Sequence, residues 1–170
     1  MRPQDIVILM KLISTKGRDI TNKEMATELG ISASEVSESL ERSKLAKLVD
    51  QSKKKVNMLA FEEFLVHGVK YVFPVVPMNT VRGIATSVSA FPIKDKISSA
   101  NDTYVWPDPK GSIRGYAVTP LYKSVPDAAK TDSKLYELLV ICDTFRIGRP
   151  REVEIAKQEL NKIIQEYNAR

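Results

Sequence analysis

Residues 21–45 read T-N-K-E-M-A-T-E-L-G-I-S-A-S-E-V-S-E-S-L-E-R-S-K-L and contain start signals for two short helices. Thr21 followed by Glu24 predicts a capping box, in which each side chain bonds a free backbone N–H of the first helical turn. Ser32 and Glu35 repeat the same spacing further along the stretch. Two such boxes in tandem favour two consecutive helices with well-defined beginnings.

The apolar residues of this stretch give each predicted helix one inward face. They are Met25, Ala26 and Leu29 in the first helix, and Val36, Leu40 and Leu45 in the second. Gly30 can adopt the positive φ that ends a helix, so the chain turns sharply between them. The pattern is typical of a helix-turn-helix, whose second helix enters the DNA major groove. An ordinary pair of packed helices is the alternative interpretation.

Helical and extended segments flank the pair. Pro3–Ser14 is predicted to form a helix, because Pro suits its start and the apolar residues recur at helical spacing. After the second helix, the sequence predicts a short extended segment, a polar turn at 50–55 with consecutive lysines, and a second extended segment at 56–59. Two short strands around a basic turn make a wing.

With these features, residues 4–60 resemble the MarR-like winged-helix domains of transcription regulators. The resemblance implies a winged-helix fold, binding to double-stranded DNA and often dimerisation. We expect a homodimer whose interface includes Pro3–Ser14 and the helices after Ser133. The residues expected at the DNA are Thr21, Asn22, Ser32, Ser34, Ser37, Glu38, Arg42, Lys53, Lys54 and Lys55.

The second helix is unusually acidic for a helix that enters DNA. We expect Glu35 to be used by its cap. Glu38 and Glu41 would lie near phosphates, which is unfavourable unless one of them accepts a hydrogen bond from a cytosine amino group. The run Lys53–Lys55 would then supply much of the attraction for phosphate.

Residues 61–170 are expected to form a second domain, for dimerisation or partner binding. A helical stripe at 61–72 should end before Pro74, and the Pro-rich segment 74–126 is expected to be ordered, irregular and partly β, with a ligand cleft as an alternative. Helices should follow at Ser133–Phe145 and from Pro150 onward. The expected fold class is mainly α with a small β wing, followed by an irregular α+β part.

Several Arg- and Pro-containing stretches of this second part are similar to small winged-helix proteins found beside nucleotidyltransferase-type toxins. They include Lys70-Tyr-Val-Phe-Pro74, Val105-Trp-Pro107, 120–126 and 146–152. The similarity implies an antitoxin or an operon autoregulator. The candidate partner-binding residues are Arg82, Arg114, Arg146, Arg149 and Arg151. The last three could instead bind phosphate or simply cap helix ends.

Composition and chemistry favour a binding protein over an enzyme. The net charge of +5 suits a nucleic-acid partner. The single Cys142 lies in an apolar run, which predicts a buried residue in a reducing cytoplasm. No nucleophile–base pair, phosphate loop, metal-ligand spacing or membrane-spanning stretch is evident, so no cofactor is expected. The sequence therefore predicts a DNA-binding transcriptional regulator that represses its own operon, with a toxin-neutralising interaction module as the alternative.

Overall fold

The protein has a mixed α+β fold in a computed structural model that describes residues 1–97 and 102–169. Its helices are α1 (Pro3–Ser14), α2 (Asn22–Leu29), α3 (Ala33–Leu45), α4 (Met58–Glu63), α5 (Val69–Val72), α6 (Val125–Thr131), α7 (Ser133–Ile147) and α8 (Pro150–Asn168). Its strands are β1 (Met78–Ala85), β2 (Tyr104–Pro107) and β3 (Ile113–Ala117). One hydrophobic core contains residues from both halves of the chain.

Helix α1 lies inside that core. It has the predicted bounds, with Pro3 at its start and the Asp5 carboxylate accepting a hydrogen bond from the Arg2 backbone N–H at 2.8 Å. Residues 5–13 are all buried by other parts of the same chain, chiefly α3 and α7. The expectation that α1 contributes to a dimer interface is therefore wrong. Helix α7 is likewise buried throughout 138–145, so the expectation that it contributes to a dimer interface is also wrong.

Local capping signals set the bounds of α2 and α3. The Thr21 hydroxyl accepts a hydrogen bond from the Glu24 N–H, and the Glu24 carboxylate accepts one from the Thr21 N–H at 2.8 Å, so the first predicted capping box is confirmed. Gly30 ends α2 with φ of 63°, in the left-handed region that glycine tolerates. Leu45 was expected on the inward face of α3, but it is 87% exposed at the end of the helix.

The segment between α3 and α4 contains less strand than predicted. Val49 and Val56 form a single antiparallel bridge, and the residues between them form turns. Because both valines are buried, the bridge still fixes the turn against the core. The predicted wing is thus a short bridged turn, not a hairpin of two strands.

The chain from Met58 to Val72 is helical and ends before Pro74, as the sequence predicts. The middle part, Phe64–Gly68, adopts π-helical hydrogen bonding. Leu65 and Val69 are buried along this segment, while His67 is exposed.

The three strands form a small closed sheet. β1 is antiparallel to both β2 and β3, and β2 and β3 are parallel neighbours. The strands approach closely at two glycines: a Cβ on Gly83 would lie 2.0 Å from the Trp106 carbonyl oxygen, and one on Gly115 would lie 2.5 Å from that of Thr103. The strands can therefore approach this closely only because residues 83 and 115 are glycines.

A buried carboxylate fastens the sheet to α7. Asp143 accepts hydrogen bonds from Thr86 Oγ1 at 2.8 Å, Trp106 Nε1 at 2.6 Å and an Arg146 guanidinium nitrogen at 2.7 Å. Trp106 is 1% exposed, so its ring packs between the sheet and α7. A second buried pair, Lys11 with Asp132 at 2.6 Å, joins α1 to the N-cap of α7.

Candidate nucleic-acid interface

The outward face of α3 is polar and acidic over its first half. Ser34, Glu38 and Glu41 are exposed at helical spacing, and Ser37 is half-buried beside them. The opposite face packs Val36 and Leu40 into the core. The side chains available to a ligand on this face are therefore hydroxyls and carboxylates, which accept or donate hydrogen bonds in a way that base edges can match.

Ser32 caps α3, but Glu35 does not complete the expected box. Ser32 Oγ accepts from the Glu35 N–H at 3.2 Å and lies 3.1 Å from Ser34 Oγ. The Glu35 carboxylate turns toward α1, where it accepts from Gln4 Nε2 at 3.0 Å and from the Arg42 guanidinium. The expectation that Glu35 is used by its cap is wrong, because the guanidinium offers a stronger, charged donor.

Arg42 is held inside the protein by a buried acid. Its guanidinium donates to both carboxylate oxygens of Asp5, at 2.7 and 3.1 Å, and the Asp5 side chain is fully buried. Burial alone would raise the pKa of Asp5, but the hydrogen bonds from Arg42 and from the Arg2 N–H outweigh it and lower that pKa. The contact of Arg42 with DNA stays a prediction. Such a contact would compete with the Arg42–Asp5 ion pair.

The basic turn at 50–55 is organised by Asp50. Its carboxylate accepts hydrogen bonds from Ser52 Oγ at 2.6 Å, the Lys54 N–H at 3.0 Å and the Lys55 N–H at 3.1 Å. Lys53 adopts φ of 62° at the turn. The Asp50 carboxylate thus fixes the backbone of the turn from within.

Two of the three lysines connect the turn to its neighbours. Lys53 pairs with Glu41 of α3, and Lys54 pairs with Asp19 at 2.8 Å in the loop before α2. Lys55 has no ion-pair partner within residues 1–97 and 102–169. Exposed ion pairs are weak, so phosphate can replace both carboxylates at little cost.

The start of α2 and the basic turn face one groove of about 920 Å³. Thr21 and Asn22 line it on one side and Lys53–Lys55 on the other, above an apolar floor that includes Leu12 and Met25. Tyr167 of α8 also lines the groove, and its hydroxyl accepts a hydrogen bond from the Val56 N–H at 3.1 Å. The structure therefore gathers five predicted DNA-contact residues around one groove, while Ser32, Ser34, Ser37 and Glu38 lie on α3 outside it.

The five candidate partner-binding arginines do not form one cluster. Arg82 and Arg114 lie opposite each other on β1 and β3. Arg149 is exposed, 3.9 Å from Asp102, and Arg151 is exposed at the start of α8. The Arg146 side chain is only 4% exposed and donates to the carbonyl oxygens of Phe73 and Thr119, which corrects its grouping with the other two.

The buried acids Asp5 and Asp143 were not among the residues predicted from the sequence. A carboxylate within an otherwise apolar helix is a usable signal, because a buried charge requires a partner. The partners themselves lie far along the chain: Arg42 for Asp5, and Trp106 and Thr86 for Asp143.

The described ranges contain no group of three or more His, Cys, Asp or Glu side chains placed to hold a metal ion. Burial raises the pKa of the Cys142 thiol, which makes it a poor nucleophile. Of the helices that the structure describes, none has the length and apolar character needed to cross a membrane.

Comparison of the chain with family models, with curated proteins and with solved structures found no match.

Proposed function

We propose that this protein is a sequence-specific DNA-binding transcriptional regulator with a winged-helix arrangement of its first sixty or so residues. In this proposal α3 enters the major groove of double-stranded DNA, with Ser34, Ser37 and Glu38 at the base edges. The turn at 50–55 contacts the adjacent phosphates. Base contacts give the sequence preference, and phosphate contacts position the protein.

The observation that carries the proposal is the position of the basic turn beside α3. Lys53 of the turn lies within ion-pair distance of Glu41, in the second half of that helix. Thr21 and Asn22, at the start of α2, face the same groove as Lys53–Lys55. A helix N-terminus carries free N–H groups and a partial positive charge, so both sides of the groove attract phosphate.

The regulatory part of the proposal follows from how helix-turn-helix proteins read DNA. Most bind two half-sites as a dimer, and we extend the proposal to repression of the protein's own operon. We extend the proposal to a homodimer and to an antitoxin encoded beside a toxin. Because α1 and α7 are buried in the chain, the dimer would have to use other surfaces, such as the exposed side of α8.

Fluorescence anisotropy with two labelled duplexes tests the proposal. One duplex carries the region upstream of the protein's own gene, and the other is a shuffled sequence of equal length and composition. We expect the upstream duplex to bind at least about a thousandfold more tightly at physiological salt, the lower end for specific DNA-binding proteins. Equal affinity for both duplexes, or no binding to either, would contradict the proposal.

A second candidate function is a protein-interaction module that neutralises a toxin. It is favoured by the acidic face of α3 and by Leu45, which is 87% exposed at the end of that helix. Exposed carboxylates repel phosphate, whereas an exposed Leu beside them suits a protein surface. Co-expression with the product of a neighbouring toxin gene, followed by size-exclusion chromatography of wild type and Leu45→Lys, distinguishes this function. A complex lost only in the variant would assign α3 to protein binding.

A further inference from the structure

Two arginines lie directly opposite each other on the closed sheet. Arg82 of β1 pairs with Arg114 of β3, and Thr80 pairs with Tyr116 one step further along. Cross-strand partners point to the same face, and residues two apart on a strand share that face. Both arginines, Thr80 and Tyr116 are exposed. They form one surface, here called the arginine face.

The register of this face cannot slip. Gly83 and Gly115 follow the two arginines. A Cβ at these positions would lie 2.0 and 2.5 Å from backbone oxygens of the neighbouring segment. Shifting either strand by one residue would place an arginine in that space. The fold therefore fixes Arg82 and Arg114 opposite each other on neighbouring strands.

Neither guanidinium is neutralised by the protein itself. Within residues 1–97 and 102–169, neither Arg82 nor Arg114 forms an ion pair or a side-chain hydrogen bond. Like charges directly opposite on a sheet are destabilising. The two guanidinium groups are exposed and, within the described ranges, unpaired, and their residues lie directly opposite each other. A ligand with negative charge would remove the electrostatic cost of placing them together.

The surroundings of the pair favour a protein ligand over a nucleic acid. Tyr116 is 43% exposed and lies 6.2 Å from the Tyr104 ring, so it forms a flat aromatic contact beside the arginines. Arg and Tyr are the residues that contribute most to protein–protein binding. At the Tyr104 end, burial and the nearby Asp102 and Glu152 raise the pKa of the phenol. Asp102 and Glu152 would repel a phosphate backbone that extended past Tyr104.

The closed sheet also limits how a ligand can dock. Because each strand pairs with the other two, no free strand edge is offered between them for an added strand. A ligand must therefore approach the side chains of the face. Guanidinium groups bind carboxylates through two parallel hydrogen bonds, which gives direction as well as affinity.

We propose that the arginine face is a docking surface for a partner protein that presents two neighbouring carboxylates next to an apolar or aromatic side chain. Each guanidinium takes one carboxylate, and Tyr116 packs against the apolar group. This surface is separate from α3 and the basic turn, so the proposal does not depend on DNA binding.

The test uses the full chain and a phage-displayed library of random peptides. The library is selected on wild type and counter-selected on the double variant Arg82→Gln/Arg114→Gln. A matched double variant, Lys94→Gln/Lys123→Gln, removes the same charge from exposed positions elsewhere. Selected peptides are then synthesised, and their affinities are measured by fluorescence anisotropy, alongside a random single-stranded DNA of similar charge.

We expect the selected peptides to contain paired Asp or Glu residues beside an apolar residue. Their affinity should fall about tenfold or more for each arginine removed, while the matched variant should bind normally. The Arg82→Gln/Arg114→Gln protein should remain folded and melt at the same or a higher temperature. Peptides without acidic pairs, equal binding to both double variants, or DNA that binds more tightly than the peptides and requires the same arginines would overturn the proposal.

Discussion

Replacing Arg42 with Met should destabilise the fold strongly, although a quarter of its side chain is exposed. Arg42 donates to both oxygens of Asp5, whose side chain is 0% exposed. Removing one member of a buried ion pair costs about 3–5 kcal/mol, because the remaining charge is left unpaired. The partial exposure of Arg42 and the remaining Arg2 N–H bond to Asp5 reduce this figure. We expect the free energy of unfolding to fall by about 2–4 kcal/mol at neutral pH.

The same variant should invert the effect of Asp5 on the pH dependence of stability. In the wild type the pKa of Asp5 is lowered, so its carboxylate stabilises the fold above the unfolded pKa, and this contribution is lost as pH falls through the lowered value. Without Arg42, burial is no longer outweighed and the pKa of Asp5 should rise above its unfolded value. Protonation then relieves the unpaired charge, so the cost of Arg42→Met should shrink from about pH 7 to about pH 4.

Urea denaturation of the wild type and variants at both pH values measures these effects. Arg18→Met is the control, since the Arg18–Glu28 pair is exposed and should contribute little to stability. Asp5→Asn combined with Arg42→Met should be more stable than Arg42→Met alone. If Arg42→Met costs no more than Arg18→Met, or if its cost does not shrink in acid, Asp5 is not the buried partner that Arg42 stabilises.

Three further variants test the core, the sheet and α3. Asp143→Ala removes the acceptor of Trp106, Thr86 and Arg146, so thermal unfolding should show a loss of about 3–5 kcal/mol, whereas Asp127→Ala at an exposed site should change little. Gly83→Ala places a Cβ 2.0 Å from a carbonyl oxygen and should therefore lower the urea midpoint. A wild-type-like midpoint would show that the strands do not cross as described. Glu38→Gln should relax base preference at one operator position by about 1–3 kcal/mol with the salt slope unchanged, whereas a uniform rise in affinity would mean that Glu38 only repels phosphate.

Local signals in the sequence predicted the helices well. Pro3 and the apolar spacing gave α1, and Thr21 with Gly30 gave the limits of α2, because caps and periodicity act within a few residues. The strands expected around the basic turn reduced to one bridge, since pairing depends on partners outside the turn. The strand pairing of the closed sheet could not be predicted for the same reason.

The candidate site was predictable only in its parts. The sequence identified Lys53–Lys55 and the start of α2, but their meeting across one groove depends on tertiary packing. Arg42 was expected at the DNA because it lies on α3, while its partner Asp5 lies in α1, a long way back along the chain. No periodicity or local motif links such residues, so their pairing required the fold.

Titration of DNA binding against salt tests the central claim most directly. The protein is compared with Lys53→Ala/Lys54→Ala/Lys55→Ala and with a matched control that removes three exposed lysines elsewhere, Lys94, Lys110 and Lys123. Each phosphate contact adds roughly 0.9 to the slope of log affinity against log salt. The first variant should therefore lose about 2–3 units of slope on every duplex, and the control should lose none. A full slope in the first variant, or an equal loss in both, would contradict the proposal that the basic turn binds the phosphates beside α3.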